Sequence, residues 1–198
     1  MTERQNSVKE IRDEYFDNDG ILSSNSLKQL KKYLEDNNDE NIKELRSAIS
    51  LVTDAHLTTF FPLLGKHLDH KDEYIRELTV GSVIEGLRLT EYAGKGFEMA
   101  QNDVGSVRNI AIFTLGSIMD KVLFSLAQKI AKYLLSVFLN SAEDKSLRDS
   151  AYFSILKAMK VPWEDRPPVS REIKDSDTDL SIMSEFCKKY QIRSHARI

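Results

Sequence analysis

The stretch Asp103-Val104-Gly105-Ser106-Val107-Arg108 recurs along the chain, and its recurrence indicates the architecture. An acidic turn precedes an aliphatic residue and an Arg, and apolar residues then follow at helical spacing. The other copies are Asp72-Glu73-Tyr74-Ile75-Arg76, Asp144-Lys145-Ser146-Leu147-Arg148 and, more weakly, residues 39–46. Their arginines stand at positions 46, 76, 108 and 148, so the steps are 30, 32 and 40 residues. A repeat of this period is typical of a solenoid, in which each unit buries its apolar face against its neighbours.

Apolar residues recur at helical spacing between residues 26 and 159, and no alternating run bounded by a hairpin turn predicts a strand. The predicted helices are one capped by Asn25 or Ser26, two over residues 42–52 and 59–68, one from Asp72 to about residue 87, a short one capped by Thr90, one from about Ser106, and two over residues 122–139 and 147–156. Pro62 fits its helix only in the first turn, where its missing N–H is not needed. Residues 122–139 are apolar on most sides, so we expect them deep in the core. The predicted fold class is all-α, an α-solenoid of antiparallel helix pairs.

The C-terminal part of the chain differs in composition. Residues 161–178 hold three of the four prolines and the single Trp, Trp163, which indicates an extended linker. Asp179 is placed to cap a terminal helix over residues 180–191, whose apolar face is formed by Ile182, Met183, Phe186 and Tyr190. We expect this helix to cover the open end of the solenoid, and the last residues, 193–198, to fray. The predicted domains are the solenoid over residues 1–160, with its clearest repeats at 39–159, the linker over 161–178, and the capping helix and tail over 179–198.

The composition, 41% hydrophobic and 30% charged, is that of a folded protein in water. The formal net charge of -3 argues against a dedicated nucleic-acid binder, although a local basic patch is compatible with it. The single cysteine, Cys187, allows no intrachain disulfide, so we predict a cytoplasmic location. Cys187 is either a reactive thiol or, in the interpretation we favour, a small apolar residue on the last helix. We expect no signal peptide and no membrane partner, since residues 1–10 are polar and no long apolar run occurs.

The repeats resemble HEAT repeats, in particular the short bacterial HEAT-like kind. Val107-Arg108-Asn109-Ile110-Ala111, followed by Leu115-Gly116-Ser117-Ile118, matches that pattern closely, and Leu147-Arg148-Asp149-Ser150-Ala151 matches it too. The copy at Arg76 has Thr79 in place of the small residue, and the copy at Arg46 departs most, with Ile49 there. The resemblance covers roughly residues 39–159 and implies an α-solenoid.

The repeated positions have a physical interpretation. Small residues such as Ala111 and Ala151 would let neighbouring helices approach closely. The guanidinium groups of Arg76, Arg108 and Arg148 would reach acceptors in an adjoining turn, so we interpret them as structural, with ligand contact as the alternative. In the best-matched repeat we expect Ile110 and Leu115 to be buried.

No motif predicts catalysis or metal binding. If Gly20 took the sixth position of a calcium loop, the first and twelfth would be Tyr15 and Ser26, where carboxylates are required. His67 and His70 have a spacing that can hold a metal on a helix. One HEAT-repeat family builds a di-iron hydroxylase from His-Glu pairs, but this chain has no His-Glu dipeptide, and we interpret both histidines as a solvated helix end. Nucleophile and phosphate-loop motifs are missing, so we predict no metal, no cofactor and no enzymatic activity.

We therefore expect a non-enzymatic module that binds another protein. The predicted partner-facing residues are Lys95, Glu98, Gln101, Gln128, Lys132 and Tyr133, together with Trp163 and Glu164 of the linker. Trp163 either pins the linker to the solenoid or anchors a partner. A small, mildly acidic repeat protein of this kind resembles the immunity proteins of toxin–immunity systems, which implies a toxin domain as the partner. The alternative is a HEAT-like lyase or another small-molecule or chromophore-binding protein.

Overall fold

The computed structural model describes residues 6–36, 41–168 and 172–192, and their regular structure is helical. No β-strand occurs in these ranges, which confirms the all-α prediction for them. The α-helices are α1 (Val8–Asp17), α2 (Ser24–Glu35), α3 (Ile42–Asp54), α4 (Phe61–Leu64), α5 (Glu73–Val80), α6 (Ala93–Asn102), α7 (Gly105–Leu115), α8 (Phe124–Leu139), α9 (Lys145–Ala158) and α10 (Leu180–Lys189). The chain divides into two compact units, unit 1 (Met1–Leu87) and unit 2 (Arg88–Ile198). The first two residues of the weak repeat copy at 39–46 and the predicted frayed tail at 193–198 lie outside the described residues.

In unit 1, α1 lies along α3, and both helices start at the same end. The Val8 amide donates to the Glu44 carboxylate at 2.8 Å near that end. The Tyr15 hydroxyl donates to the Ala55 carbonyl at 3.3 Å near the other end. Helix α2 packs on both helices, and α5 packs on α3. The apolar core they enclose includes Val8, Ile11, Leu30, Leu34, Ile49, Val52 and Ile75.

Helix α1 has no counterpart in the sequence-based prediction. Its N-terminus is a capping box, in which the Ser7 side chain accepts from the Glu10 amide and the Glu10 side chain accepts from the Ser7 amide. Only Val8 and Ile11 are buried along the helix. Two apolar positions are too few to register as a periodic stripe, whereas the Ser-x-x-Glu spacing was a readable start signal.

The cap of α2 differs from the predicted one. Ser23, and not Asn25 or Ser26, caps the helix by accepting from the Ser26 amide at 3.2 Å. Ser26 instead lies buried in the first turn, where its hydroxyl donates to the Glu14 carboxylate. The Ser26 hydroxyl, one of the two predicted caps, therefore donates to a carboxylate of α1 instead of capping α2.

The segment before α5 and the end of α5 are less regular than predicted. Pro62 does lie in the first turn of α4, but α4 is one turn long and is flanked by 3-10 segments at Thr58–Phe60 and Gly65–Asp69. Helix α5 starts next to Asp72 as predicted, and the Asp72 side chain caps it by accepting from the Ile75 amide at 3.0 Å. The α-helix ends at Val80, and a π-helical segment, Gly81–Gly86, completes the predicted range.

In unit 2, α7 and α9 approach each other closely at one glycine. The Gly116 amide donates to the Ser154 hydroxyl at 2.7 Å. A Cβ placed on Gly116 would lie 1.9 Å from the Ser154 carbonyl oxygen, well inside van der Waals contact. The small residues Ala111 and Ala151 are fully buried on the same two helices. Helix α6 packs on α7, and both α8 and α10 pack on α9.

Two expectations about burial in unit 2 are wrong. Ile110 is only half-buried, because the inner face of α7 is set by Val107, Ala111 and Leu115, all buried at four-residue spacing. Helix α8 is not deep in the core on all sides. It buries one face, and its ends are open, with Phe124 49% and Leu139 46% exposed.

Helix α10 is capped as predicted, and it packs on α9. Asp179 accepts from the amides of Ser181 at 2.8 Å and Ile182 at 3.2 Å. The side chains of Met183, Phe186, Cys187 and Tyr190 are buried, while Ile182 is half-buried. Burial raises the pKa of the Cys187 thiol, which disfavours a reactive thiolate. The described part of residues 161–178 contains two 3-10 turns, Trp163–Asp165 and Asp175–Asp177, so it is not extended throughout.

We expect Gly116→Ala to lower the free energy of unfolding by about 3 kcal/mol or more, because the added Cβ meets backbone atoms that cannot move aside. Gly94→Ala is the matched control. A Cβ at Gly94 meets nothing within 4 Å, so this change should raise the free energy of unfolding by roughly 0.5–1 kcal/mol through helix propensity. Urea denaturation followed by circular dichroism measures both changes. Equal effects of the two substitutions would contradict the close approach of α7 and α9.

Candidate partner-binding surfaces

The predicted partner-facing residues of α6 lie on its outer side. The Lys95 ammonium pairs with the Glu98 carboxylate at 3.0 Å, one helical turn away, and the Glu98 side chain is 57% exposed. Gln101, near the end of the same helix, is exposed. These residues present charge to solvent, and their contact with a partner stays a prediction.

The predicted residues of α8 divide into internal and exposed ones. The Gln128 amide nitrogen donates to the Tyr190 carbonyl at 3.0 Å, which ties α8 to the end of α10. The Tyr133 hydroxyl donates to the Ala100 carbonyl, and its ring meets Phe97 edge-on with centroids 5.6 Å apart. Only Lys132 of the three is exposed. The polar groups of Gln128 and Tyr133 are therefore used within unit 2.

The three repeated arginines share one kind of contact. Each guanidinium donates to a backbone carbonyl of the helical segment before it or of the turn that follows that segment. Arg76 donates to His70 at 2.9 Å and to Lys71 at 3.1 Å, Arg108 to Ala100 at 3.3 Å, and Arg148 to Phe138 at 3.0 Å. Helix C-termini leave carbonyls without intrahelical partners, and a cationic donor satisfies them. These contacts agree with the interpretation of the three arginines as structural residues.

Arg108 makes a second, stronger contact. Its two terminal nitrogens donate to the Glu143 carboxylate at 3.1 and 2.8 Å, and the two side chains are 22% and 21% exposed. This bidentate hydrogen bond from Arg108 lowers the pKa of Glu143 and, reciprocally, raises that of Arg108. The turn between α8 and α9 is thereby linked to α7.

The large apolar side chains of Leu123, Phe124 and Trp163 are exposed in unit 2. The Trp163 side chain is 61% exposed, and the Arg166 guanidinium lies 5.6 Å from its ring centroid. Glu164, in the same 3-10 turn, is exposed. Leu123 is 81% and Phe124 49% exposed at the start of α8. An ion pair of 3.0 Å between Asp120 and Lys160 links the turn before α8 to the residues that follow α9. We call Leu123, Phe124 and Trp163 the apolar end.

Sequence reasoning missed two of the three residues of the apolar end. Leu123 and Phe124 begin a long apolar run, which was interpreted as buried because it is apolar on most sides. No local signal distinguishes an exposed leucine at a helix start from a buried one. Their exposure depends on which neighbours cover that end of the helix.

A cavity of about 830 Å³ opens between α1 and α3 in unit 1. We call it the α1–α3 groove. Four basic side chains line it, Lys9, Arg12, Lys43 and Arg46, against two carboxylates, Glu44 and Asp54. Because α1 was not predicted, the groove was not anticipated either. The capping box at Ser7 was the signal that could have predicted α1 itself, whereas its position beside α3 depends on tertiary contacts.

The interpretation of His67 as solvated is wrong. His67 is 1% exposed, and its Nε2 lies 2.8 Å from the Leu34 carbonyl oxygen. A carbonyl only accepts, so Nε2 carries the proton in the neutral ring. Burial is the main cause that lowers the pKa of His67 to about 4, and it outweighs the opposing effect of the Leu34 hydrogen bond. His70, one turn on, accepts from the Asp72 amide through Nδ1 at 3.1 Å.

The described residues contain neither a metal-binding cluster nor a membrane-spanning helix. Among them, no group of three or more His, Cys, Asp or Glu side chains is placed to hold a metal ion. No helix of the described ranges combines the length and the hydropathy needed to cross a membrane. The features that remain are surfaces, namely the apolar end and the α1–α3 groove. Comparison of the chain with family models, curated proteins and solved structures gave no match.

Replacing His67 with Gln should remove a pH dependence of stability. The native ring stays neutral down to about pH 4, whereas the ring in the unfolded chain takes up a proton near pH 6.5. The unfolded state therefore binds more protons between these values, so the His67 contribution falls as pH falls from 6.5 to 4, by roughly 3 kcal/mol. Urea denaturation across this range should show a steeper slope for the natural chain than for His67→Gln. A substitution at the exposed His56, His56→Gln, is the control, and equal slopes for the natural chain and His67→Gln would contradict the burial.

A double-mutant cycle of Arg108→Gln and Glu143→Gln should give a coupling free energy of about 1–3 kcal/mol at neutral pH, because the pair is bidentate and mostly shielded. The folded pKa of Glu143 is lowered, so this coupling is present above the ordinary glutamate range and is lost as pH falls through it. The exposed pair of Lys95 and Glu98 is the control and should couple by only about 0.5 kcal/mol or less. A coupling at Arg108 no larger than at Lys95 would argue for a ligand-binding arginine.

Proposed function

We propose that the chain is a non-enzymatic protein-binding module, built as an α-solenoid of HEAT-like antiparallel helix pairs and located in the cytoplasm. The apolar end carries the proposal. Three large apolar side chains, Leu123, Phe124 and Trp163, stay largely in water although the chain has a well-filled core. Exposed apolar groups that gather at one place are characteristic of interaction sites.

Burial of the apolar end by a partner would stabilise a complex. Each square ångström of apolar surface removed from water contributes about 25 cal/mol, so covering a Trp, a Phe and a Leu supplies a substantial part of a binding free energy. Trp is also the residue type most enriched among those that dominate interfaces. Because Trp163 is 61% exposed, it stabilises the linker only a little, and its burial by a partner would contribute strongly to binding. This supports the anchoring alternative for Trp163.

The solenoid part of the proposal rests on the repeat and on what its residues do. Asp72 and Asp144 cap α5 and α9, and the small residues Ala111 and Ala151 are buried. Arg76, Arg108 and Arg148 all donate to carbonyls in comparable places. The arginine contact thus recurs in three copies, whereas the aspartate cap recurs in two, because Val104 precedes α7 without a side-chain cap. Contacts that recur in successive copies support repeats that stack on one another.

Within this class we propose an immunity protein that binds a toxin domain. The support is the resemblance to such repeat proteins, the small size and the mild net charge of -3. An immunity protein acts by occluding or distorting its toxin, which needs a complementary surface and no chemistry. Gene order is the first test. A toxin gene immediately upstream supports the immunity role. Neighbouring phycobiliprotein genes support the lyase-like alternative, because HEAT-like repeats also occur in bilin lyases, which are expected beside such genes.

Substitution at the apolar end should abolish partner capture. Three immobilised baits are compared: the natural chain, a Leu123→Ser, Trp163→Ala double variant, and Leu139→Ser. Leu139 is 46% exposed at the opposite end of α8, so its variant is the matched control. A lysate of the source organism is passed over each bait, and retained proteins are quantified by mass spectrometry. A partner should bind the natural chain and the Leu139 variant and lose about 2 kcal/mol or more of affinity for the double variant.

Thermal denaturation of the three baits guards against misfolding, and equal midpoints are expected because the altered side chains are exposed. Identical retention by all three baits would place the binding surface elsewhere. Retention of a small molecule and of no protein would mean that the proposed class is wrong.

A further inference from the structure

We propose that the α1–α3 groove binds a short, extended, acidic segment of a protein. This is a second binding surface, in unit 1, whereas the apolar end lies in unit 2. The two proposals use different residues and different chemistry, so each can fail without the other.

The charges lining the groove are not balanced. Its two carboxylates are already engaged within unit 1, since Glu44 accepts from the Val8 amide at 2.8 Å and Asp54 pairs with Arg12 at 3.3 Å. Lys9 and Lys43 are exposed, and neither forms an ion pair with another described residue. Arg46 is exposed and lies with its guanidinium carbon 5.5 Å from the Tyr74 ring centroid, which orients the cation without neutralising it. Among the described residues, the cationic side chains of Lys9, Lys43 and Arg46 therefore remain for a ligand.

The helix directions add to this positive field. Helices α1 and α3 begin at the same end of the groove, where Lys9 and Lys43 lie. The partial positive charges of both helix N-termini point to that end. The chain as a whole carries a net charge of -3, so the groove is a local region of the opposite sign. Such a region attracts and orients an anionic partner.

The shape indicates an extended ligand. The lining residues of α3 run from Lys43 to Asp54, nearly the whole helix, which corresponds to about 16 Å at 1.5 Å per residue. An extended peptide advances about 3.3 Å per residue, so about five residues fit. Ser50 lies midway along this line, half-buried, and its hydroxyl makes no hydrogen bond with another described residue. It is available to a peptide group of the ligand.

The lining favours a protein segment over a nucleic acid. None of the described residues that line the groove is aromatic, whereas single-stranded nucleic acids are held by stacking on aromatic rings. A long polyanion would also meet the negative charge of the rest of the chain. A short acidic segment within a partner of mixed charge places its carboxylates only against the groove.

The test uses a labelled six-residue peptide of alternating glutamate and aspartate, with the corresponding peptide of glutamine and asparagine as its uncharged match. Fluorescence polarisation measures binding to the full chain, and inorganic phosphate and a single-stranded oligonucleotide are tested as competitors. Lys9→Glu with Lys43→Glu reverses the charge of the groove. Lys28→Glu with Lys129→Glu, at two exposed lysines outside it, produces the same change of net charge. Ser50→Leu fills the groove without altering charge.

We expect the acidic peptide to bind, the uncharged peptide not to bind, and the affinity to fall about tenfold or more in the Lys9, Lys43 variant. Ser50→Leu should weaken binding as well, and the Lys28, Lys129 control should change it less than about twofold. Melting temperatures of all variants are compared with that of the natural chain, so that loss of binding is not loss of folding.

Three results would overturn the proposal. Equal affinity of the groove variant and the control variant would mean that net charge alone attracts the peptide. The oligonucleotide displacing the peptide more effectively than unlabelled peptide does, or phosphate displacing it completely at millimolar concentration, would assign the groove to phosphates. No binding of the acidic peptide at millimolar concentration would mean that the groove has no such ligand. None of these results bears on capture through the apolar end.

Discussion

The close approach of α7 and α9 at Gly116 is the constraint on which unit 2 depends. The Gly116 amide reaches the Ser154 hydroxyl at 2.7 Å, and any side chain at position 116 would collide with the backbone of α9. Helix α6 packs on α7, while α8 and α10 pack on α9, so the positions of the other helices follow from this contact. The buried alanines Ala111 and Ala151 allow the same closeness along the two helices. The contact between α7 and α9 therefore positions the exposed faces of α6 and α8.

In unit 1 the corresponding element is a polar contact. The Glu44 carboxylate accepts from the Val8 amide, one of the first-turn groups of α1 that has no intrahelical acceptor. A negative charge there is also favoured by the helix dipole. This contact aligns α1 with α3 and holds the Glu44 carboxylate against the first turn of α1. The same interaction thus stabilises the fold and leaves Lys9 and Lys43 without partners among the described residues.

The two candidate surfaces differ in the kind of partner they suit. The apolar end offers burial of Leu123, Phe124 and Trp163, which gives affinity with little selectivity for charge. The α1–α3 groove offers cations, which select an acidic ligand and speed its association but contribute less to affinity. Both use ordinary surface side chains and neither needs an activated group. A binding role therefore agrees with the structure of each unit taken separately.

Local sequence by itself determined most of the helices and several of their ends. The caps Asp72 and Asp179, and Pro62 in the first turn of α4, were predictable because each acts on a backbone group within three residues. The tertiary structure alone decided the environment of single side chains. His67 is buried with its ring against the Leu34 carbonyl, and the Tyr133 hydroxyl donates to the Ala100 carbonyl. In each case the partner is 33 residues away along the chain. Leu123 and Phe124 are exposed although their run is apolar, and α1 forms the groove although it buries only Val8 and Ile11. Periodicity indicates which face of a helix is apolar. Only the packing decides which neighbouring element covers that face and which of its residues stay exposed.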